Sequence, residues 1–455
     1  MKFNRLFAYF KSKGARGKMA KGGMYLTIGA GIEDGLRFIR NIILARLLDP
    51  AAFGIMAIVM SVDILFDSLT QMGIKESIIH NKKGNERAFL NTAFCINFIR
   101  GIILYVAAFF IIPVISDFYN SRQLIPLSRI AFLNIIFLCS MSPYAYSALK
   151  KMNYRKWALV FHAGGAISVL LSIVLGIYLR SVWALAIGFA SENAVRCIIS
   201  YMACPYLPSP KIDKESFKEI INYSKGILGL PILAFFFLRT DTFVLAKFVD
   251  IAQLGIYNLA KKLVYFPLRA YKTIVSHLLM PRFSSIQGDT QALAREYLKI
   301  LKGLSIFFVP LITGMAIGAP HILRLVYGPT YVSAATVFRI FCGALLMQVL
   351  GATSNVLFFS TGKPQTTRIA TIFRLLILLI VIFPMVIKYG ITGAAVSSLL
   401  AAFTGLVFIM YKVKTNLNIQ IRSQLLSYSS GVFVSLIFLI LYFSINISVY
   451  FFRVI

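Results

Sequence analysis

The feature that most constrains this chain is a succession of apolar stretches, each long enough to cross a bilayer, with little room between them for a soluble core. They fall at 23–47, 53–73, 88–115, 124–148, 157–179, 182–204, 222–247, 253–280, 300–320, 331–360, 367–387, 390–411 and 424–450. A helix of about 20 residues spans a hydrocarbon layer about 30 Å thick. Thirteen spans are therefore expected, within a range of 12 to 14 set by the charged first stretch and a divisible last one. Of the 455 residues 58% are hydrophobic and 14% charged, where a soluble domain carries about 25% charged residues. A soluble globular protein is excluded, and the expected class is an all-α polytopic membrane protein.

The charge balance is lopsided, with 47 Lys and Arg against 16 Asp and Glu. In a soluble protein that surplus would point to nucleic acid; here its position explains it, and no nucleic-acid partner is expected. Lys and Arg flanking membrane spans collect on the cytoplasmic side. Alternate connections separate cleanly, 28 basic residues on one side and 7 on the other. The basic tail, residues 1–21, is thus expected in the cytoplasm. Its apolar run Leu6–Phe10 is too short for a signal-peptide core. Cys95, Cys139, Cys197, Cys204 and Cys342 lie in or beside apolar segments without metal-ligand spacing, and read as small buried hydrophobes.

A repeat is visible. LARLLDPAAFGIM at 44–56 returns as LAKFVDIAQLGIY at 245–257, offset by 201, with six identities and Arg46 replaced by Lys247. Six spans separate the copies, so both face the same way and the halves are related by an axis along the membrane normal, as in parallel-repeat transporters. The expected organisation is an N-terminal six-helix lobe at 22–205, a cytoplasmic linker at 206–219, a C-terminal six-helix lobe at 220–415 and an additional helix at 416–455. The two pseudo-symmetric bundles would enclose a central cavity.

Twelve basic residues remain inside spans, where each charge at mid-helix costs about 2.5–3.5 kcal/mol even on lenient insertion scales. Arg129 and Arg374 lie near span ends, from which a long side chain reaches the headgroups. The first and eighth spans are different. Glu33, Arg37, Arg40 and Leu44 share one helical face, with Asp34 at its margin. Asn258, Lys262, Tyr265, Arg269, Lys272 and Ser276 form a polar stripe about 27 Å long at 1.5 Å per residue. Such a stripe reads as the wall of a water-filled cavity. In-span acids are Glu33, Asp34, Asp63, Asp67, Glu192 and Asp241. Asp63 and Asp67 stand four residues apart on one face, where like charges repel and either a proton or a basic partner is needed. Asp241 follows Arg40 by 201 residues, which puts the two at equivalent places in the halves. Twelve cations against six acids favour an anionic substrate. Arg37, Arg40, Arg239, Asn258, Lys262, Tyr265, Arg269 and Lys272 are the candidate binding residues, and Glu33, Asp63, Asp67 and Asp241 the candidates for proton or sodium coupling. No cofactor or metal is expected.

The segment IILARLLDPAAFGIMAIVMSVDILFDSLTQMGIKESII beginning at Ile42 resembles the opening of Wzx-type oligosaccharide-lipid flippases, a branch of the multidrug/oligosaccharidyl-lipid/polysaccharide exporter superfamily. Further echoes are RTDTFVLAKFVDIAQLGIYNLAKKL at 239–263, HILRLVYGPTYVSAATVFRI at 321–340 and YGITGAAVSSLLA at 389–401. The resemblance implies transfer of an undecaprenyl-pyrophosphate-linked oligosaccharide between leaflets of the bacterial inner membrane, among membrane lipids and with a polysaccharide polymerase and chain-length regulator as partners. Against the related peptidoglycan-precursor flippases, RFIRNIILAR at 37–46 places a cavity arginine at Arg40, and LAKKLVYFP at 259–267 places a basic residue at Lys262. Asn41 departs from the acid those relatives carry there, Asp67 from a basic residue, and a fourteenth helix is missing.

Two other classes were weighed. A drug or cation antiporter of the same superfamily needs acidic cavity walls, whereas these are basic. A polysaccharide polymerase or ligase needs a sizeable extracytoplasmic catalytic loop, and the external connections here are short. A transporter rather than an enzyme is expected.

Overall fold

The computed structural model describes residues 15–225 and 230–436, and at 15–24, 230, 233, 234, 237 and 269–278 it describes the backbone alone. All the regular structure there is helical. The helices are α1 Ala15–Leu47, α2 Pro50–Thr70, α3 Ile74–His80, α4 Arg87–Phe118, α5 Leu124–Ala131, α6 Leu133–Cys139, α7 Tyr144–Lys150, α8 Tyr154–Leu179, α9 Val182–Ala203, α10 Lys214–Lys225, α11 Leu230–Phe248, α12 Ile251–Ser284, α13 Thr290–Ile317, α14 Ala319–Val326, α15 Ala335–Ser360 and α16 Pro364–Leu417. A last stretch, α17, covers 421–436.

Among the described residues seven helices are long and apolar enough to span a membrane, or eight if the bent pair α5–α6 and α7 forms one span. That pair turns by 54°, at a break holding Pro143, which has no N–H to donate. At the expected spans 23–47, 222–247 and 253–280 lie α1, α11 and α12, which carry most of the in-span charge. The expected spans 367–387 and 390–411 are both inside α16. Its 54 residues would measure about 80 Å if straight, more than twice a hydrocarbon core. Gly390, at φ 55° and ψ −132°, breaks it into two legs. The tail of the expected last span lies outside the described residues.

Burial distinguishes helices enclosed by protein from those facing lipid. On α2, Phe53, Ile55, Met56, Ile58, Val59, Val62 and Phe66 are all buried. On α4, Ile102, Ile103, Val106, Phe110 and Val114 are exposed, the apolar outer surface a bilayer accepts.

The chain divides by internal contact after Gly255. The first unit includes α11 and the first turn of α12, because α11 packs against α2. The stretch expected as linker, 206–219, runs irregularly to Asp213 and then into α10. Asp213 caps this helix, its carboxylate accepting from the Ser216 amide at 2.8 Å and hydroxyl at 2.7 Å. Those two donors hold its carboxyl below the usual carboxylate range. Lys83 fastens α10 to the preceding loop, donating to Glu215 at 2.7 Å, while Asn81 donates to Glu219 at 2.6 Å.

Within the first unit, α2 and the start of α12 cross at contact between backbones. A Cβ added to Gly54 would strike the carbonyl oxygen of Ile251, and one added to Gly255 that of Pro50. Gly255 follows Gly54, and Ile251 follows Pro50, by the 201-residue offset of the repeat. Each copy of the motif thus presses its glycine onto the first residue of the other copy's helix. The sequence repeat has a physical counterpart in a reciprocal contact.

The second unit has its own core. Leu301, Val309, Leu357, Phe358, Ile409 and Val413 are buried together. Asp289 starts α13 by accepting from the amides of Gln291 and Ala292, both at 2.9 Å.

Candidate functional site

In the first unit α1, α8 and α9 bring their charges together. Glu33 and Arg37 stand one turn apart on α1, and Glu192 and Arg196 one turn apart on α9. The two pairs cross-link. Arg37 Nη2 reaches Glu33 Oε1 at 2.7 Å and Glu192 Oε1 at 2.5 Å. Arg196 reaches Glu33 Oε1 with Nη2 at 2.7 Å and Glu192 Oε1 with Nη1 at 2.8 Å. His162 Nδ1 lies 2.9 Å from the other oxygen of Glu33. His162 belongs to a π-helical turn, Leu159–Ala163, inside α8, a widened turn often found at functional positions.

Small residues make the space. A Cβ at Gly165 would meet the Glu33 carboxylate, and one at Gly29 the His162 ring, about 2.6 Å away. Two carboxylates facing two guanidiniums leave this cluster balanced, which is how buried charge is tolerated. Arg37 is thereby committed to acids of its own unit.

Arg40 lies three residues further along α1. Its Nε is shielded from solvent and has no hydrogen-bond partner among the described residues. With both glutamates engaged by Arg37 and Arg196, Arg40 carries the surplus charge of this helix. No ion pair joins it to Asp241 among those described. Asp241 is 3% exposed and accepts from the Thr242 amide at 2.9 Å, and Arg239 is half-buried on the same helix.

Asp63 and Asp67 meet different fates. Arg100 pairs with the Asp67 carboxylate and also donates to its carbonyl oxygen at 3.1 Å and to Thr70 Oγ1 at 3.0 Å. Asp63 is 4% exposed. Asn134 donates to its Oδ2 at 3.4 Å, and Oδ1 has no hydrogen-bond partner among the described residues. Asn193 in turn donates to the Asn134 carbonyl at 3.3 Å, and Arg196 reaches Asn193 Oδ1 at 3.5 Å. A ladder of polar groups therefore runs from Asp63 to the Glu33 cluster.

In the second unit Asn258 is buried, Lys262 exposed and Tyr265 half-buried along α12. The Tyr265 hydroxyl accepts from Gln348 Nε2 at 3.0 Å. The side chains of Arg269 and Lys272, also on this stripe, lie outside the described residues.

Three participants were missed in the sequence: His162, Glu192 and Arg196. A signal for two of them existed, since Glu33–Arg37 and Glu192–Arg196 repeat the same Glu-x-x-x-Arg spacing on two expected spans. For His162 there was none.

The Glu33 cluster predicts its own sensitivity. Glu192→Gln removes one charge from a balanced set of four, leaving Arg37 and Arg196 to share Glu33. Loss of one partner from a buried pair costs about 3 kcal/mol. The amount of folded protein recovered from membranes should fall, and the double variant Glu192→Gln with Arg196→Gln should recover part of the loss. A double variant no better than the single one would show that the pairing is not the source.

Residues 43–336 match the polysaccharide biosynthesis protein family. The chain is 25% identical over 342 residues to the lipopolysaccharide biosynthesis protein WzxC of Escherichia coli, covering 74% of this chain and 68% of that one. It is 23% identical over 341 residues to the amylovoran biosynthesis protein AmsL of Erwinia amylovora, covering 73% and 88%. Its fold is similar to the lipid II flippase MurJ in an inward closed conformation, with TM-score 0.70 at 15% identity over 92% of this chain and 99% of that one. A multidrug resistance MATE family transporter in an inward-facing conformation aligns with TM-score 0.64 at 15% identity, covering 86% and 98%. The resemblance read from the segment beginning at Ile42 thus extends over most of the sequence and nearly all of the fold. A family match covering more than half of its length places the chain in the polysaccharide biosynthesis protein family.

Proposed function

We propose that this chain is a flippase that moves an undecaprenyl-pyrophosphate-linked oligosaccharide from the cytoplasmic to the outer leaflet of the bacterial inner membrane. It works by alternating access of two six-helix lobes around a basic cavity, with its N-terminus in the cytoplasm. A polymerase and a chain-length regulator would take up the product. The observation that carries the reading is the fate of the intramembrane acids. Glu33, Glu192 and Asp67 are each engaged by arginines, and residues 256–455 hold only Asp289 and Glu296, both outside the apolar spans. The cations of the stripe have no carboxylate of their own half to neutralise. Arg40, a fork-shaped donor suited to bidentate phosphate contact, and Lys262, a compact charge, would take the pyrophosphate. A cation antiporter needs the reverse arrangement.

The test is the fate of lipid-linked intermediates in a deletion strain. Whole repeat units should accumulate on undecaprenyl pyrophosphate with their sugars facing the cytoplasm, and return of the gene should clear them. Export of single units at the normal rate without the gene would sink the assignment.

Charge also predicts the driving force. Moving one elementary charge across 100 mV is worth about 2.3 kcal/mol, so a pyrophosphate carrying about two negative charges is drawn outward by the interior-negative potential. The emptied basic cavity is drawn back by the same field. In vesicles with proton and sodium gradients held at zero, a potassium–valinomycin potential of native sign should accelerate flipping. A rate indifferent to potential but responsive to a proton or sodium gradient would transfer the burden to Glu33, Asp63, Asp67 and Asp241.

A further inference from the structure

A second cationic position lies inside the second unit, away from the α12 stripe. Arg374 is ten residues into α16, which begins at Pro364, and is therefore about 15 Å from that end. It is near the middle of a hydrocarbon core about 30 Å thick. Expected near a span end, with its side chain reaching the headgroups, Arg374 instead lines an interior cavity of about 340 Å³ between α15 and the two legs of α16. Gly405 on the opposite leg makes the room, since a Cβ there would strike the Arg374 side chain.

The cavity wall is rich in donors. Gln348, Asn355 and Thr371 line it beside Arg374, with Gly351, Ala370 and Ala402 completing the small-residue surface. One Gln348 N–H is used on the Tyr265 hydroxyl, which leaves the second. Asn355 Oδ1 is shielded and has no hydrogen-bond partner among the described residues. Turning this amide end for end, an exchange that coordinates at ordinary precision do not distinguish, presents its NH₂ instead. No carboxylate lies in any apolar span of this half of the sequence.

We infer that this cavity is a binding site for a small monovalent anion, of which chloride is the prevalent example, held by Arg374 with Asn355 and Gln348. A guanidinium at mid-membrane depth in a donor-lined pocket, in a half-chain without intramembrane acids, matches what a desolvated halide requires: positive charge and N–H groups, with no acceptor aimed at it. The site would neutralise Arg374 and fasten α15 to both legs of α16. It is separate from the proposed pyrophosphate contacts at Arg40 and Lys262, and it stands or falls independently of flipping.

The experiment uses the full chain purified in a neutral detergent, with chloride replaced by gluconate at constant ionic strength. A ligand at 100 times its Kd shifts the unfolding equilibrium about 100-fold. Chloride should raise the apparent Tm by about 5 °C, given that conversion and the size of the unit. Arg374→Met should abolish the response, and Arg40→Met should keep it. Crystals of the unaltered chain grown in bromide should show an anomalous peak in the cavity, which tests the site without reliance on a variant's folding. The inference is overturned if the unaltered chain is indifferent to chloride, if Arg374→Met responds as the unaltered chain does, or if bromide leaves the cavity without a peak. It is equally overturned if phosphatidylglycerol, added without chloride, gives the Arg374-dependent rise and chloride does not, since the occupant is then a lipid headgroup.

Discussion

Arg40→Ala should reduce export of the lipid-linked unit by at least about 100-fold while the protein remains inserted and folded. The reason is the division of labour along α1. Arg37 is bound to Glu33 and Glu192, so its removal leaves Arg196 alone against two carboxylates, and the expected cost is stability of about 3 kcal/mol. Arg40 enters no ion pair among the described residues, and its truncation relieves an uncompensated charge rather than exposing one. The two variants should therefore separate. Arg37→Ala should lower the yield of monodisperse protein, whereas Arg40→Ala should leave yield and Tm intact and stop transport. Arg40→Lys should restore only part of the rate, because an ammonium keeps the charge and loses the fork. Quantitative surface polysaccharide at native expression, read beside size-exclusion profiles, distinguishes these outcomes. Full complementation by Arg40→Ala would remove Arg40 from the proposed pyrophosphate contact.

The second large effect is expected at the glycine crossing. Gly54→Val and Gly255→Val each drive a branched side chain into a backbone carbonyl that no rotamer change can move aside. Overpacking of a close-packed interior costs about 1–3 kcal/mol, and more where backbone must shift. Both variants should lower the apparent Tm markedly and by similar amounts, because the two contacts are equivalent. Together they should cost much less than their sum, since the first substitution already separates the helices that the second would push apart. A wild-type Tm for either single variant would show that the helices do not meet there.

Much of this architecture was legible in the sequence because its physics is local. A run of apolar residues between basic flanks defines a span wherever it occurs, and the helices of the structure lie at nearly every expected span. The repeat was legible too, since LA(R/K)xxD followed by a turn and Gly-Ile is a helix end and a helix start written twice. Asp67 needed a basic partner or a proton, and its partner is Arg100. What local periodicity cannot say is which helix a charged face meets. Arg37 was grouped with Arg40 because both lie on one face of α1, yet Arg37 belongs to a cluster completed by α9 and α8. Arg374 looked close enough to a span end to reach the surface, and only the position of Gly405 on the returning leg shows the pocket that receives it. His162 sits in a widened turn that leaves no trace in composition.

The reciprocal placement of Gly54 on Ile251 and Gly255 on Pro50 has the form of an isologous interface, in which residue i of one copy meets residue j of the other and j meets i. Interfaces of that kind ordinarily join two separate, identical subunits across a two-fold axis. Here both partners are segments of one polypeptide, so the contact retains the imprint of a homodimer that gene duplication and fusion made covalent. Once the copies were joined, each was free to diverge, and they have done so in charge: the first half keeps all the intramembrane acids before Gly255, and the second keeps none. A crossing that must remain self-complementary is the part of such a chain least able to follow that divergence, because any side chain added on one copy meets the unchanged backbone of the other.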